Sequence, residues 1–128
     1  MGSRYREMEI RTASPEMLVV KMYEGAIRQI RLAIDHHRAG RIGERGTALS
    51  RALAILSELR HALDFERGGE IASNLDQLYR FLSDRLLEAN LRGDEEALLW
   101  SVGILDSLHG AWAEIARRPP ESRAAARG

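Results

Sequence analysis

Two acid–histidine pairs at helical spacing are the residues of this chain best suited to chemistry. Glu58 and His61 are three residues apart, and so are Asp106 and His109. Facing helices of a bundle can hold a di-metal carboxylate centre through such pairs, so a metal–carboxylate enzyme is one interpretation. A helical wheel argues against it, because Glu58 and His61 point away from the apolar stripe of their own segment. We therefore expect no metal site.

The remaining polar groups that invite a chemical role are explained by the ends of helices. Ser14 precedes a proline and is expected to cap a helix, while His36 and His37 fall in a last turn, where the helix dipole favours cations. Gly68–Gly69 is not followed by the Lys-Ser/Thr of a phosphate-binding loop. The sequence thus predicts neither an enzyme nor a cofactor.

Composition indicates one soluble, helical domain. The chain has 128 residues, of which 45% are hydrophobic and 30% charged, and its 19 basic and 19 acidic residues cancel. That balance favours neither nucleic acid nor an anionic membrane, and no apolar run approaches the ~20 residues of a membrane span. Cysteine is absent, as suits a reducing compartment. We expect a cytoplasmic protein without membrane insertion.

Capping and helix-breaking residues divide the chain into segments. We predict a leader over 1–13, a four-helix bundle over 14–117 and a flexible tail over 118–128, the tail following a helix that Pro119–Pro120 ends. The predicted helices cover about 15–39, 42–63, 70–91 and, after a cap at Asp94, 95–117. Short connections make successive helices neighbours, so the expected fold is an all-α, antiparallel up-down bundle.

The helical period also predicts a core. Its expected members are Leu18, Met22, Ala26 and Ala33 in the first helix; Leu49, Ala52, Leu56, Leu59 and Leu63 in the second; Ile71, Leu75, Leu78, Leu82, Leu86 and Ala89 in the third; and Leu98, Val102, Leu105 and Trp112 in the fourth.

Two helices carry more apolar surface than one core requires. In the first helix the charged residues occupy a narrow sector, and the apolar residues span about 200° against the ~100° stripe that a surface helix needs. Val20, Tyr23 and Ile27 belong to this excess, and Leu99 and Trp100 extend the arc of the fourth helix in the same way. Phe81 and Leu87 likewise depart from the core face of the third helix. Three interpretations are open: an enclosed helix, a homodimer contact, or a groove for a partner helix.

Several segments resemble one known family in order and spacing. They are Thr12–Pro15 and Leu18–Ile27 near the beginning, Gly68–Leu75, Leu78–Tyr79 and Arg85–Asn90 in the middle, and Ala111–Trp112 near the end. Together with Tyr5 and Ile10 they resemble the flagellin-specific flagellar secretion chaperones, the FliS family, over about residues 5–115.

The resemblance implies a cytosolic chaperone that binds the disordered C-terminal segment of flagellin, prevents premature polymerisation and aids delivery to the export apparatus. Export-apparatus or regulatory flagellar proteins are further partners that it allows, and the chain itself is expected to be a monomer or weak homodimer. Combined with the wide apolar arcs, it gives the expected partner-binding residues: Tyr5, Ile10, Val20, Tyr23, Ile27, Phe81, Leu87, Leu99 and Trp100. A homo-oligomeric regulatory bundle and the metal–carboxylate enzyme remain the alternatives.

Overall fold

Four helices make up the fold in the computed structural model, which describes residues 14–119. They are α1 (Pro15–Arg38), α2 (Ile42–His61), α3 (Phe65–Arg92) and α4 (Glu95–Ala116). Short connections join them, and the described residues contain no strand. The predicted all-α four-helix bundle is confirmed. The predicted leader, with Tyr5 and Ile10, and most of the tail lie outside the described residues.

Side-chain caps fix where three of the helices begin. The Ser14 hydroxyl accepts a hydrogen bond from the Met17 N–H at 3.1 Å. The next residue is Pro15, and because proline has no backbone N–H, it leaves no unpaired donor at the first position of the helix. The carboxylates of Asp64 and Asp94 each accept the N–H three positions on, at 3.2 Å. Gly93, at φ 65°, ends α3 in the left-handed conformation that glycine adopts without steric cost.

The connection between α2 and α3 is shorter than predicted. α2 ends at His61 rather than Leu63, and α3 begins at Phe65 rather than near residue 70. Asp64 caps this extra turn, which leads into a kink at Gly69, where φ is 49° and ψ is −120°. The two successive glycines therefore mark a kink within a helix rather than a loop, because glycine tolerates a positive φ.

Pairs of side chains between helices show that neighbours run antiparallel. The pairs joining α1 to α4 and α2 to α3 are Arg38–Glu95, Arg31–Asp106, Glu24–His109, Arg45–Asn90 and Arg60–Asp76. In each set, a residue late in the first helix meets a residue early in the second. The helices follow one another around the bundle, with α1 packed against both α2 and α4, and α3 against the same two helices.

A buried arginine joins three helices at one end of the bundle. Arg45, only 7% exposed, donates from Nε to Oδ1 of Asn90 at 2.9 Å and from Nη2 to the Asn90 carbonyl oxygen at 2.7 Å. Its Nη1 lies 2.9 Å from Nδ1 of His37 on α1. The guanidinium thus meets groups in the last turns of α1 and α3, where the helix dipoles favour a cation. These contacts hold the first turns of α2, which the glycines at 43 and 46 weaken.

The core contains most of its predicted members. Thirteen are buried: Ala26, Ala33, Leu49, Ala52, Leu56, Leu59, Leu82, Leu86, Ala89, Leu98, Val102, Leu105 and Trp112. Met22, Leu63, Leu75 and Leu78 are half-buried and pack against them. Leu18 and Ile71 are wrong predictions, since they are 55% and 57% exposed. Val20, two residues after Leu18, and Ala72, next to Ile71, are buried instead.

Candidate protein-binding surface

The apolar arc of α1 is core, not surface. Val20, Tyr23 and Ile27 are 4%, 0% and 5% exposed, so the prediction that they lie outside the core is wrong. Because α1 is covered by both α2 and α4, its wide arc has a partner on each side. Ile30 and Ile34, further along α1, are also buried and continue the same face.

A pair of tyrosines crosses this core from α1 to α3. The hydroxyl groups of Tyr23 and Tyr79 hydrogen-bond to each other, and the two ring centroids lie 6.4 Å apart. Burial raises the pKa of both phenols, and the charge and hydrogen bond of Tyr79 raise the pKa of Tyr23 further, against a smaller opposing effect of the Trp112 side chain. Both hydroxyls are therefore neutral and mutually satisfied inside the bundle, as buried polar groups must be.

Aromatic side chains remain exposed where α3 and α4 meet. Phe81 and Trp100 are 51% and 39% exposed, and their rings meet edge to face with centroids 5.7 Å apart. The guanidinium carbon of Arg85, one turn after Phe81, lies 5.0 Å from the Trp100 ring centroid. We call Phe81, Arg85 and Trp100 the α3–α4 patch. The two partly exposed rings leave apolar area that a partner could bury, and their contacts with each other and with the cation hold them in place.

The other exposed members of the predicted site lie on different flanks. Leu87, 52% exposed, precedes Asn90 by three residues and so shares the flank of α3 that faces α2. Leu99, 45% exposed, follows Glu95 by four residues and shares the flank of α4 that faces α1. The structure therefore brings Phe81 and Trp100 together but places Leu87 and Leu99 along two other seams of the bundle.

Charged residues cover the seam between α1 and α4. Arg31 pairs with Asp106 at 3.1 Å, and Nε2 of His109 lies 2.9 Å from Oε2 of Glu24. The hydrogen bond from His109, helped by the charge of Lys21, lowers the pKa of the Glu24 carboxyl. These partners border an open groove of about 650 Å³. Exposed pairs of this kind contribute little stability.

The acid–histidine pairs make ordinary helix contacts. His61 Nδ1 lies 2.7 Å from the Ser57 carbonyl oxygen one turn earlier, and Glu58 is exposed. Asp106 and His109 are the α4 partners of α1 described above. Within residues 14–119 no three His, Asp or Glu side chains come together in a way that could hold a metal ion.

Sequence reasoning missed some exposed residues beside the predicted site. Arg85 was not singled out, although its spacing of four from Phe81 puts both on one face of α3. Leu91, 86% exposed, extends the flank of Leu87 by one turn, and Ile42 is 65% exposed at the start of α2. The spacing of Leu87 and Leu91 was the signal for the wider apolar flank.

The α3–α4 patch and the exposed leucines on other flanks make this helical bundle suited to binding another protein. The family model described as "Flagellar protein FliS" matches residues 1–119. The chain belongs to the FliS family.

The chain is similar in sequence to several flagellar secretion chaperones over most of their length. The chain is 38% identical over 110 residues to the flagellar secretion chaperone FliS of Salmonella typhimurium, covering 85% of this chain and 82% of that protein. It is 34% identical over 109 residues to the flagellar secretion chaperone FliSB of Pseudomonas aeruginosa, covering 85% and 86%. It is 35% identical over 115 residues to FliS of Vibrio cholerae, covering 90% and 82%.

The family and its named relatives are chaperones of flagellar secretion, which points to a binding protein rather than an enzyme. None of the helices among residues 14–119 is long and apolar enough to cross a membrane.

Proposed function

We propose that this chain is a cytosolic export chaperone that binds the disordered C-terminal segment of flagellin, prevents its premature polymerisation and aids its delivery to the flagellar export apparatus. The observation that carries the proposal is the α3–α4 patch, where two aromatic rings stay exposed in contact with each other. Large aromatic side chains and arginine are the residue types that dominate binding energy in protein interfaces.

The distribution of the exposed residues fits a client that wraps the bundle. Phe81 and Trp100 occupy the seam of α3 and α4, while Leu87 and Leu99 lie toward α2 and α1. No single straight helix would contact all four, because they lie on different flanks. A disordered segment can follow several seams, folding into short amphipathic pieces as it binds.

The three buried residues of the predicted site have a different part in this proposal. Val20, Tyr23 and Ile27 support the helices that form the seams and contact the client only if the bundle opens. Tyr5 and Ile10 of the leader, outside the described residues, are proposed to lie beside the seams that bind the client. The proposal also divides the chain into a leader over 1–13, a bundle over 14–117 and a tail over 118–128.

A calorimetric titration with a peptide of the flagellin C-terminal segment tests the proposal. We expect one peptide to bind per chaperone with a large negative heat-capacity change, since a disordered client must bury apolar surface while its backbone becomes ordered. The helical content of the peptide, followed by circular dichroism, should rise on binding. A peptide of the same composition in scrambled order is the control. Absence of binding, or equal binding of the scrambled peptide, would contradict the proposal.

Sedimentation across a concentration series addresses the self-association alternative. A chaperone that keeps its seams for a client should be a monomer or weak homodimer without it. A stable, concentration-independent oligomer would instead indicate that the exposed apolar residues pack against another copy of the chain.

A further inference from the structure

A second surface, at the end of α2 and the beginning of α3, lies apart from the α3–α4 patch. It is a cleft of about 380 Å³ lined by Arg60, His61, Leu63, Phe65, Asp76 and Arg80, and we call it the basic cleft. The basic cleft lies on the seam between α2 and α3, whereas the α3–α4 patch lies on the seam between α3 and α4. None of its residues is among those assigned to flagellin above.

Two arginines share one carboxylate in this cleft. Nε of Arg60 donates to Oδ1 of Asp76 at 3.0 Å, and Nε of Arg80 lies 3.3 Å from Oδ2 of the same residue. The lining therefore holds one more guanidinium than carboxylate. Each of these contacts uses the Nε–H of an arginine, and each guanidinium carries four further N–H donors on its terminal nitrogens. A second carboxylate is the group that this arrangement fits best, since arginine binds carboxylates in a forked geometry.

Histidine and apolar groups complete the lining. Nδ1 of His61 lies 2.7 Å from the Ser57 carbonyl oxygen, which can only accept, so Nδ1 carries the proton and Nε2 is left for another partner. Phe65, 53% exposed, presents a ring at the same cleft, and Leu63 packs against the core beneath. A ligand that fits both parts has a carboxylate next to an apolar side chain.

We infer that the basic cleft binds an acidic peptide segment of a partner protein, with a glutamate or aspartate on Arg60 and Arg80 and a neighbouring apolar side chain on Phe65. The excess cation of the cleft is complementary to an acidic partner. The inference does not depend on flagellin being the client.

Fluorescence anisotropy with two labelled peptides tests the inference on the full chain. The first is an acetylated hexapeptide in which Glu and Leu alternate, and the second has Gln in place of Glu. We expect the acidic peptide to bind at low ionic strength and the Gln peptide to bind at least about tenfold more weakly, because the charge-assisted hydrogen bonds are lost. R80Q should weaken the acidic peptide by about tenfold as well.

The controls separate a site from general charge attraction. Arg80 has a side chain 64% exposed, so R80Q is expected to fold with an unchanged thermal midpoint. R51Q removes an exposed arginine from the outside of α2, away from the cleft, and should leave affinity unchanged. D76N removes the internal carboxylate and should tighten the acidic peptide, an effect that lost structure would not produce.

The inference is overturned by any of three results. They are no binding of the acidic peptide, equal binding of the acidic and Gln peptides, and equal weakening by R80Q and R51Q. R60Q provides a second check on the same carboxylate contact if R80Q alters the thermal midpoint.

Discussion

The apolar arcs of α1 and of the α3–α4 seam resemble each other in sequence but differ in the fold. Val20, Tyr23 and Ile27 of α1 are buried, whereas Phe81 and Trp100 are about half exposed. The difference arises from how closely the neighbours pack: α2 and α4 pack closely along α1 but more loosely along α3, and the aromatic pair lies on the outer side of the α3–α4 seam. Apolar width alone therefore does not distinguish a core helix from a binding surface. The position of the neighbouring helices does.

A core truncation should produce the largest loss of stability. Leu86 is fully buried, so Leu86→Ala removes apolar burial and leaves a cavity that the surrounding helices fill only in part. We expect the free energy of unfolding, measured by urea denaturation, to fall by about 2–5 kcal/mol. A loss below about 1 kcal/mol would mean that this face of α3 is not the core that the comparison requires.

Breaking the tyrosine pair should cost less. Tyr23→Phe leaves the buried Tyr79 hydroxyl without its Tyr23 partner, and we expect a loss of about 1–3 kcal/mol in the same urea experiment. The control is the double variant Tyr23→Phe/Tyr79→Phe, which removes both hydroxyls. It should be at least as stable as the single variant, because the Tyr79 hydroxyl is no longer left buried without its partner. If the loss in the double variant equals the sum of the losses in Tyr23→Phe and Tyr79→Phe, the two hydroxyls act independently, which would contradict the pairing.

The same pair gives a pH dependence at the alkaline end. Both phenols have a raised pKa in the fold, so each remains protonated where an unfolded tyrosine, with a pKa of about 10, ionises. The contribution to stability is fully present below pH about 10 and is lost as the pH rises above it, because the unfolded state releases protons more readily. In the variant Tyr5→Phe/Tyr79→Phe, Tyr23 is the one tyrosine left of the chain's three, and absorbance at the phenolate band should show it ionising only with unfolding. Ionisation near pH 10 with the fold intact would contradict the burial of Tyr23.

Local signals in the sequence predicted where the capped helices begin better than they predicted which side of each helix is buried. Ser14 and Asp94 were recognisable caps because their side chains act on backbone within three residues. The kink at Gly69 was misplaced as a loop, since two glycines permit either and the cap at Asp64 decides between them. Arg45 gave no local signal at all: its burial depends on the ends of α1 and α3, which only the assembled bundle brings together.

The candidate site divides in the same way. Phe81, Leu87, Leu99 and Trp100 were predicted as apolar residues off the core face, and the structure exposes all four. Val20 and Ile27 were predicted in the same way, as apolar residues off the core face, but they are enclosed by neighbouring helices, which a wheel of one helix does not represent.

A parallel measurement on Trp100→Ala tests most directly the claim that the α3–α4 patch serves a client rather than the fold. Trp100 is 39% exposed, so its truncation should change the thermal midpoint far less than Leu86→Ala does. Affinity for the flagellin C-terminal peptide, measured by calorimetry, should weaken by about 2 kcal/mol or more, as for an aromatic hot spot. Unfolding as severe as that of Leu86→Ala, or unchanged peptide affinity in a stable variant, would contradict the account.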